Sequence, residues 1–211
     1  MLTVGKKLAA ADHRVVLVDS RGHGLSTGDW LGYGSLEARD LQQVLDELDR
    51  QRLLVGSIGV YGASYGGATA IILAGRDPRV KAVVVVTTFS SLEDQVGYYA
   101  RNHGSPDWLR RASPWVIRLA VQRAGKRGQF DPDEASPVTA ITKTDANVLL
   151  FHGKADNVIP TVHSERVHAA APVHSELVLL DDEDHDTIFH DRHGIIMTKT
   201  LAWYARHLIR P

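Results

Sequence analysis

The sequence predicts an α/β protein, a mostly parallel sheet with helices on both faces. Three observations carry that expectation. Short β-branched runs alternate with helical patterns along most of the chain, as strand–helix–strand units require. One run, VKAVVVVTTF (80–89), is apolar without alternation, which suits a strand covered on both faces. A glycine-rich turn, GASYG (62–66), closes the apolar run SIGVYG (57–62), where such sheets place their strand-to-helix turns.

Taken in order, RVVLVD (14–19) reads as the first strand and ends in the turn SRGHG. SLEARDLQQVLDELDRQR (35–52) puts Leu41, Val44, Leu45 and Leu48 at helical spacing, with Ser35 as the expected N-cap. The second strand, 57–62, feeds a helix over YGGATAIILAGRD (65–77), and the third strand is 80–89. NVLLFHG (147–153) and ELVLLD (176–181) are the fourth and fifth strands, and a closing helix fills most of GIIMTKTLAWYARHLIR (194–210). Between the third and fourth strands the pattern breaks. Residues 92–145 interleave Tyr98, Tyr99, Trp108, Trp115 and Phe130 with basic side chains. There Ser113-Pro114 is a good helix start, a serine cap followed by proline at the first helical position. This stretch reads as a cap-like insertion above the sheet of a single domain spanning 1–211.

Bulk composition narrows the function. A 44% hydrophobic, 23% charged chain of 211 residues is long enough for one sizeable core and has the make-up of a soluble globular protein. Lys and Arg number 24 against 25 Asp and Glu, so net charge gives no argument for nucleic acid. Without cysteine there are no disulfides, thiolate metal sites or cysteine nucleophile. No apolar stretch approaches the roughly 20 residues that span a bilayer, and the N-terminus lacks a secretory signal core. A cytoplasmic enzyme or binding domain is the expectation.

G-x-S-x-G at a strand end lifts a serine oxygen above the sheet, with the backbone N–H of Tyr65 placed for an oxyanion. Ser64 as nucleophile needs a base, and the base an orienting carboxylate. Asp156 lies in the loop after NVLLFHG, and His185 just past ELVLLD. Each falls beyond a strand end, in the chain order used on this kind of sheet. Other readings stand beside these. Asp156 can cap a helix starting near Pro160 or close a turn. His190 and His193 rival His185, and HDRH (190–193) can be read as a metal pair without further ligands. His152 in HG reads as shaping a turn. The acidic run 181–184 reads as a solvated loop, or as support for a protonated His185 if close to it. The glycines of GSIGVYG do not fit a dinucleotide fingerprint.

VVLVDSRGHGLSTG (15–28), IGVYGASYGGATA (58–70), VLLFHGKADNVIP (148–160) and His185 together resemble the α/β-hydrolases. The likeness is to serine aminopeptidase-like hydrolases, monoglyceride lipases and dienelactone-hydrolase-like esterases. It implies Ser64 as nucleophile, Asp156 as acid, His185 as base, and the Tyr65 N–H as one oxyanion donor. It also implies structural roles for Asp19, Arg21, Gly22 and Gly24, and a variable cap at 92–145. Family members start with two or three strands, an H-G loop donating the second oxyanion N–H, and a helix. LTVGKKLAAADHR (2–14) matches the end of that helix. The strand bearing the H-G loop would lie between the strands matching 14–19 and 57–62. Three readings follow: the polypeptide starts late, those two strands pair directly, or another chain fills the gap.

The expected reaction is hydrolysis of a carboxylic ester through an acyl-enzyme, with no cofactor or metal. A peptidase or amidase of the same fold, or a non-catalytic remnant of it, are the alternatives. Candidate substrate-binding residues in the cap are Trp108, Trp115, Arg110 and Arg111. From Arg101 to Phe130 there are seven basic residues and one acidic, Asp107. They read as a basic outer face, as a pocket for an anionic group, or as a cap that rests on lipid.

Overall fold

A computed structural model describes residues 1–209. In chain order its elements are α1 (Leu2–Ala10), α2 (Ser35–Arg50), β1 (Ile58–Ala63), α3 (Tyr65–Arg76) and β2 (Val80–Val86). There follow α4 (Leu92–Asn102), α5 (Asp107–Arg110), α6 (Pro114–Gly128) and α7 (Pro137–Ala140). The chain then forms β3 (Asn147–Gly153), α8 (Val162–Ala170), β4 (Ser175–Leu180) and α9 (Ile195–His207). The four strands pair in parallel in the order β1-β2-β3-β4. Of the closing helix expected over 194–210, Arg210 lies outside the described residues.

The sheet is covered on both faces, because successive side chains of a strand point to opposite sides. Val83, Val85, Val148 and Leu150 pack on one face with Ile71 and Ile72 of α3. Val84, Val86, Leu149 and Phe151 pack on the other with Leu8 of α1 and Trp203 and Tyr204 of α9. This is why β2 and β3 read as unbroken apolar runs. Burying each such side chain stabilises the fold by about 1.5–3 kcal/mol.

The structure departs from the sequence reading at five places, the simplest being that the strand expected at 80–89 ends at Val86, before Thr87 at φ 52°. RVVLVD (14–19) forms no strand, and Val16, Leu17 and Val18 are exposed. Its β-branched residues favour extended backbone, but a strand also needs a neighbour for its N–H and C=O groups. It does not pair with β1, so direct closure of the two segments does not occur. The helix at 35–50 is capped not by Ser35 but from within. Gly34, at φ 101°, is the N-cap, and the Glu37 carboxylate accepts the Gly32 and Gly34 amides at 2.8 Å each. Ser35 is the first helical residue and donates to Glu134 instead. Ser113 does sit at the N-cap of α6 with Pro114 behind it, but its side chain makes no cap hydrogen bond. Finally, residues 92–135 form a separate cluster around Leu92, Ile117 and Val121. Ala140 and Ile141 instead join the main core beside α3. There Gly75 lets the Ala140 backbone approach, since a Cβ would lie 2.7 Å from its carbonyl oxygen.

Candidate active site

Ser64 sits between β1 and α3 with φ 52° and ψ −120°. That left-handed backbone is costly for a residue with a Cβ, about 1–3 kcal/mol. It is held by the Ser64 N–H donating to the Val86 carbonyl and by Gly67 and Ala68 N–H donating back to the Ser64 carbonyl. The glycines earn their places unequally. A Cβ on Gly62 would lie 2.1 Å from the Gly66 carbonyl oxygen, and one on Gly67 2.7 Å from Val85. A Cβ on Gly66 would meet nothing within 4 Å. The turn therefore needs Gly62 and Gly67, and the side-chain position at Gly66 opens onto free space. The Tyr65 N–H heads α3, where first-turn amides have no partner inside the helix and favour negative charge.

The loops after β3 and β4 bring two more groups to Ser64. His185 Nε2 is 3.2 Å from Ser64 Oγ, and His185 Nδ1 is 2.8 Å from Asp156 Oδ2. A carboxylate can only accept, so Nδ1 carries the proton and Nε2 turns a lone pair to the serine hydroxyl. Phe189 stands edge-on to the imidazole at 5.4 Å. Asp184 folds the loop locally, accepting the amides of Asp186 and Thr187. Gly153 lets the two loops meet, since a Cβ there would lie 2.1 Å from the Glu183 carbonyl oxygen. The same carbonyl accepts the Ala155 N–H at 3.0 Å.

Asp156 is buried, and both its oxygens are occupied. Oδ1 accepts the amides of Val158 and Ile159, so the residue closes a turn as well as facing His185. Oδ2 accepts the Thr87 hydroxyl at 2.9 Å beside His185. Burial opposes its ionisation, but the nearby His152, with Nε2 3.5 Å from Oδ2, and the hydrogen bonds from His185 and the Ile159 amide outweigh it. The carboxyl is held well below the usual carboxylate range.

Two residues of this arrangement have no part in the chemistry read from the sequence, where His152 reads as shaping a turn. Thr87 is fully buried at the end of β2, with φ 52°. His152 is fully buried under the acid loop. Its Nε2 lies 2.7 Å from the Ile159 carbonyl and 3.0 Å from Thr87 Oγ1, and its Nδ1 lies 2.6 Å from Ser164 Oγ. The carbonyl can only accept, so Nε2 holds the proton and Nδ1 accepts from Ser164. The one signal in the sequence is polar residues at the ends of apolar strands, TT (87–88) and H (152).

The turn after 14–19 is held as its glycines imply. The Leu25 N–H and the Ser26 hydroxyl donate to Asp19, and Arg21 makes a two-pronged ion pair with Asp40 of α2. This turn packs His23 and Tyr33 around Tyr65. Trp108 and Trp115 are 71% and 68% exposed. Arg110 and Arg111 line an open depression with Arg101 and Asp107. None of these four substrate-binding candidates makes a hydrogen bond, ion pair or ring contact with Ser64, Asp156 or His185. His190 and His193 are both exposed and neither joins the cluster. Among the described residues no group of three or more His, Asp or Glu is placed to hold a metal ion, and no helix is long and apolar enough to cross a membrane.

Comparison with known proteins agrees with this architecture. The family model for X-Pro dipeptidyl-peptidase (S15 family) matches residues 3–127. The uncharacterized protein YqkD of Bacillus subtilis (strain 168) is 29% identical over 175 residues, covering 81% of this chain and 55% of its own length. The uncharacterized protein YfhR of Escherichia coli (strain K12) is 28% identical over 213 residues, covering 97% of this chain and 64% of its own. The chain thus spans a little over half to just under two thirds of these relatives. Among solved structures, the Pyrococcus furiosus esterase Pf2001 superposes with a TM-score of 0.71 at 19% identity, over 98% of this chain and 76% of that one. A parallel sheet with a serine at its strand-to-helix turn and a family model matched over more than half the sequence lead to one assignment: the chain belongs to the X-Pro dipeptidyl-peptidase (S15) family of the α/β-hydrolase superfamily.

Proposed function

We propose that the protein is a serine hydrolase that cleaves a carboxylic ester through an acyl-enzyme on Ser64. The observation that carries this reading is the run of contacts from Ser64 Oγ to His185 Nε2 at 3.2 Å and from His185 Nδ1 to Asp156 Oδ2 at 2.8 Å. The serine is held in a backbone conformation that turns do not adopt without cost.

In the proposed reaction His185 Nε2 takes the hydroxyl proton as Ser64 Oγ bonds to the substrate carbonyl carbon. The carbonyl oxygen becomes an oxyanion beside the Tyr65 N–H. As the carbonyl re-forms, the bond to the leaving alcohol breaks and that alcohol takes the proton from His185. Water then gives its proton to the same nitrogen and attacks the acyl carbon. Collapse of this second adduct returns the proton to Ser64 and releases the acid. Asp156 keeps the imidazole in the Nδ1–H form and offsets its positive charge.

A peptide bond is the second reading, favoured by the S15 family match. The same steps apply, with an amine leaving in place of the alcohol. A fluorophosphonate probe on native protein and on Ser64→Ala tests the nucleophile. Labelling of native protein alone is expected, and folded native protein that takes no label would refute the assignment. Turnover of a short acyl ester against an X-Pro anilide then separates the two substrate classes.

A further inference from the structure

The chain has a formal net charge of −1, but its charge is unevenly spread. Seven basic residues and one acidic fall between Arg101 and Phe130, which leaves 17 basic against 24 acidic elsewhere. The molecule therefore has a positive end, and that end is the cap.

Packing decides what this end presents. α6 buries Ile117, Val121 and Gly125. At about 100° per residue, its opposite side carries Trp115, Leu119, Arg123 and Lys126. Trp115 is 68% exposed and Leu119 42%, and Trp108 on the neighbouring α5 is 71% exposed. Arg118 is held by Glu93 and Asp133. Arg123, Lys126 and Arg111, by contrast, pair with no acid among the described residues. Next to Trp108, Arg101, Arg110, Arg111 and Asp107 line an open depression of about 260 Å³. Three guanidinium groups against one carboxylate leave it an excess of positive charge, matched to an anion such as phosphate.

We propose that the cap docks the protein onto an anionic bilayer. Trp108, Trp115 and Leu119 enter the boundary between headgroups and acyl chains, while the arginines and Lys126 meet lipid phosphates. Tryptophan settles at that boundary because its ring is apolar and its N–H polar. A basic helix face with apolar side chains in its midst is the pattern of a surface-bound helix. A nucleic acid would satisfy the charges but leave Leu119 in water, and its bases stack on aromatics within a groove rather than on the outer face of a helix. The dipole adds long-range steering, since the acidic remainder of the molecule is repelled as the cap is attracted. The cap is also tied to the loop bearing Asp156, through Tyr98 Oη to the Asn157 carbonyl and Gln95 Nε2 to the Val158 carbonyl.

Co-sedimentation with vesicles of phosphatidylcholine, with and without phosphatidylglycerol, tests the proposal. Binding only to the mixed vesicles, weakened by added salt and accompanied by a blue shift of tryptophan emission, is expected. Each of Arg123→Gln and Lys126→Gln should weaken that binding about fivefold, with hydrolysis of a short soluble ester unchanged. Leu119→Gln, also on the exposed face, should reduce it without loss of the helical circular dichroism signal. Ser64→Ala should bind like the native protein, so this inference stands or falls apart from the hydrolase reading. Equal binding to phosphatidylcholine alone, no binding to mixed vesicles, or indifference to the charge substitutions would overturn it. So would a dimer in sedimentation equilibrium that Trp115→Ala dissolves, or displacement from vesicles by short DNA.

Discussion

Ser64 combines a strained backbone with a hydroxyl 3.2 Å from His185, and its removal separates chemistry from folding. Ser64→Ala should lower kcat by about a million-fold while leaving thermal stability unchanged or slightly raised. A steady-state assay alongside a thermal melt checks both parts, and an active Ala variant would exclude the acyl-enzyme. Thr87→Val keeps the shape of a β-branched side chain but withdraws the hydroxyl from Asp156 Oδ2. A hydrogen bond to a charged group contributes about 1.5–3 kcal/mol, so kcat/KM should fall about 10- to 100-fold with KM little changed. Ser64, Asp156 and His185 were legible in the sequence because each follows a strand end, and their chain order is itself a signal. Thr87 and His152 were not. The contacts of Thr87 span 65 and 69 residues, and nothing local distinguishes a threonine that bonds a distant carboxylate from one that ends a strand.

At the scale of elements, periodicity placed the helices at 35–50 and 65–76 and the strands at 58–63 and 147–153 within a residue or two. It did not reveal how α2 begins, since the Glu37 side chain folds back onto two glycine amides that only the tertiary turn brings near. Glu37 is buried, and Glu37→Ala would leave both amides without an acceptor. A loss of roughly 2–4 kcal/mol is expected, read from urea denaturation, and a variant as stable as the native protein would show that water takes over the cap. α8 carries a pH-sensitive joint. His163 is buried with Nδ1 accepting the Ser90 N–H, and burial pushes its pKa down to about 4 from the ordinary 6.5. The folded protein keeps this ring neutral where the unfolded chain binds a proton. Its contribution is therefore fully present above pH 6.5 and is lost as pH falls from there toward 4, by roughly 3 kcal/mol. His163→Asn, whose side-chain oxygen can accept the same N–H, should melt lower at neutral pH but lose less on acidification. Parallel melting-temperature profiles for the two proteins would contradict this account.

Across the whole molecule, stability follows the order of the strands. β2 and β3 lie inside the sheet with nearly every side chain buried, whereas β1 and β4 are edges and only half covered. The apolar run at 80–89, of which 80–86 forms β2, points to one strand of this centre, since strands covered on both sides dispense with alternation. The run at 14–19 is equally strand-like, and composition does not show that it pairs with no strand among the described residues. Pairing is a property of two segments, and the sequence of one cannot supply it. Amide hydrogen exchange reads this difference directly. The amides of 82–86 and 148–152 are bonded within the ladder and sealed by helices, so they should exchange only through global unfolding. Those of 15–18, with Val16, Leu17 and Val18 exposed and no ladder, should exchange close to the rate of an unstructured peptide. β1 should fall between, its ladder to β2 intact and its other edge open. Protection of 15–18 equal to that of β2 would mean that this segment is paired in solution, and the four-strand description of the sheet would have to be extended.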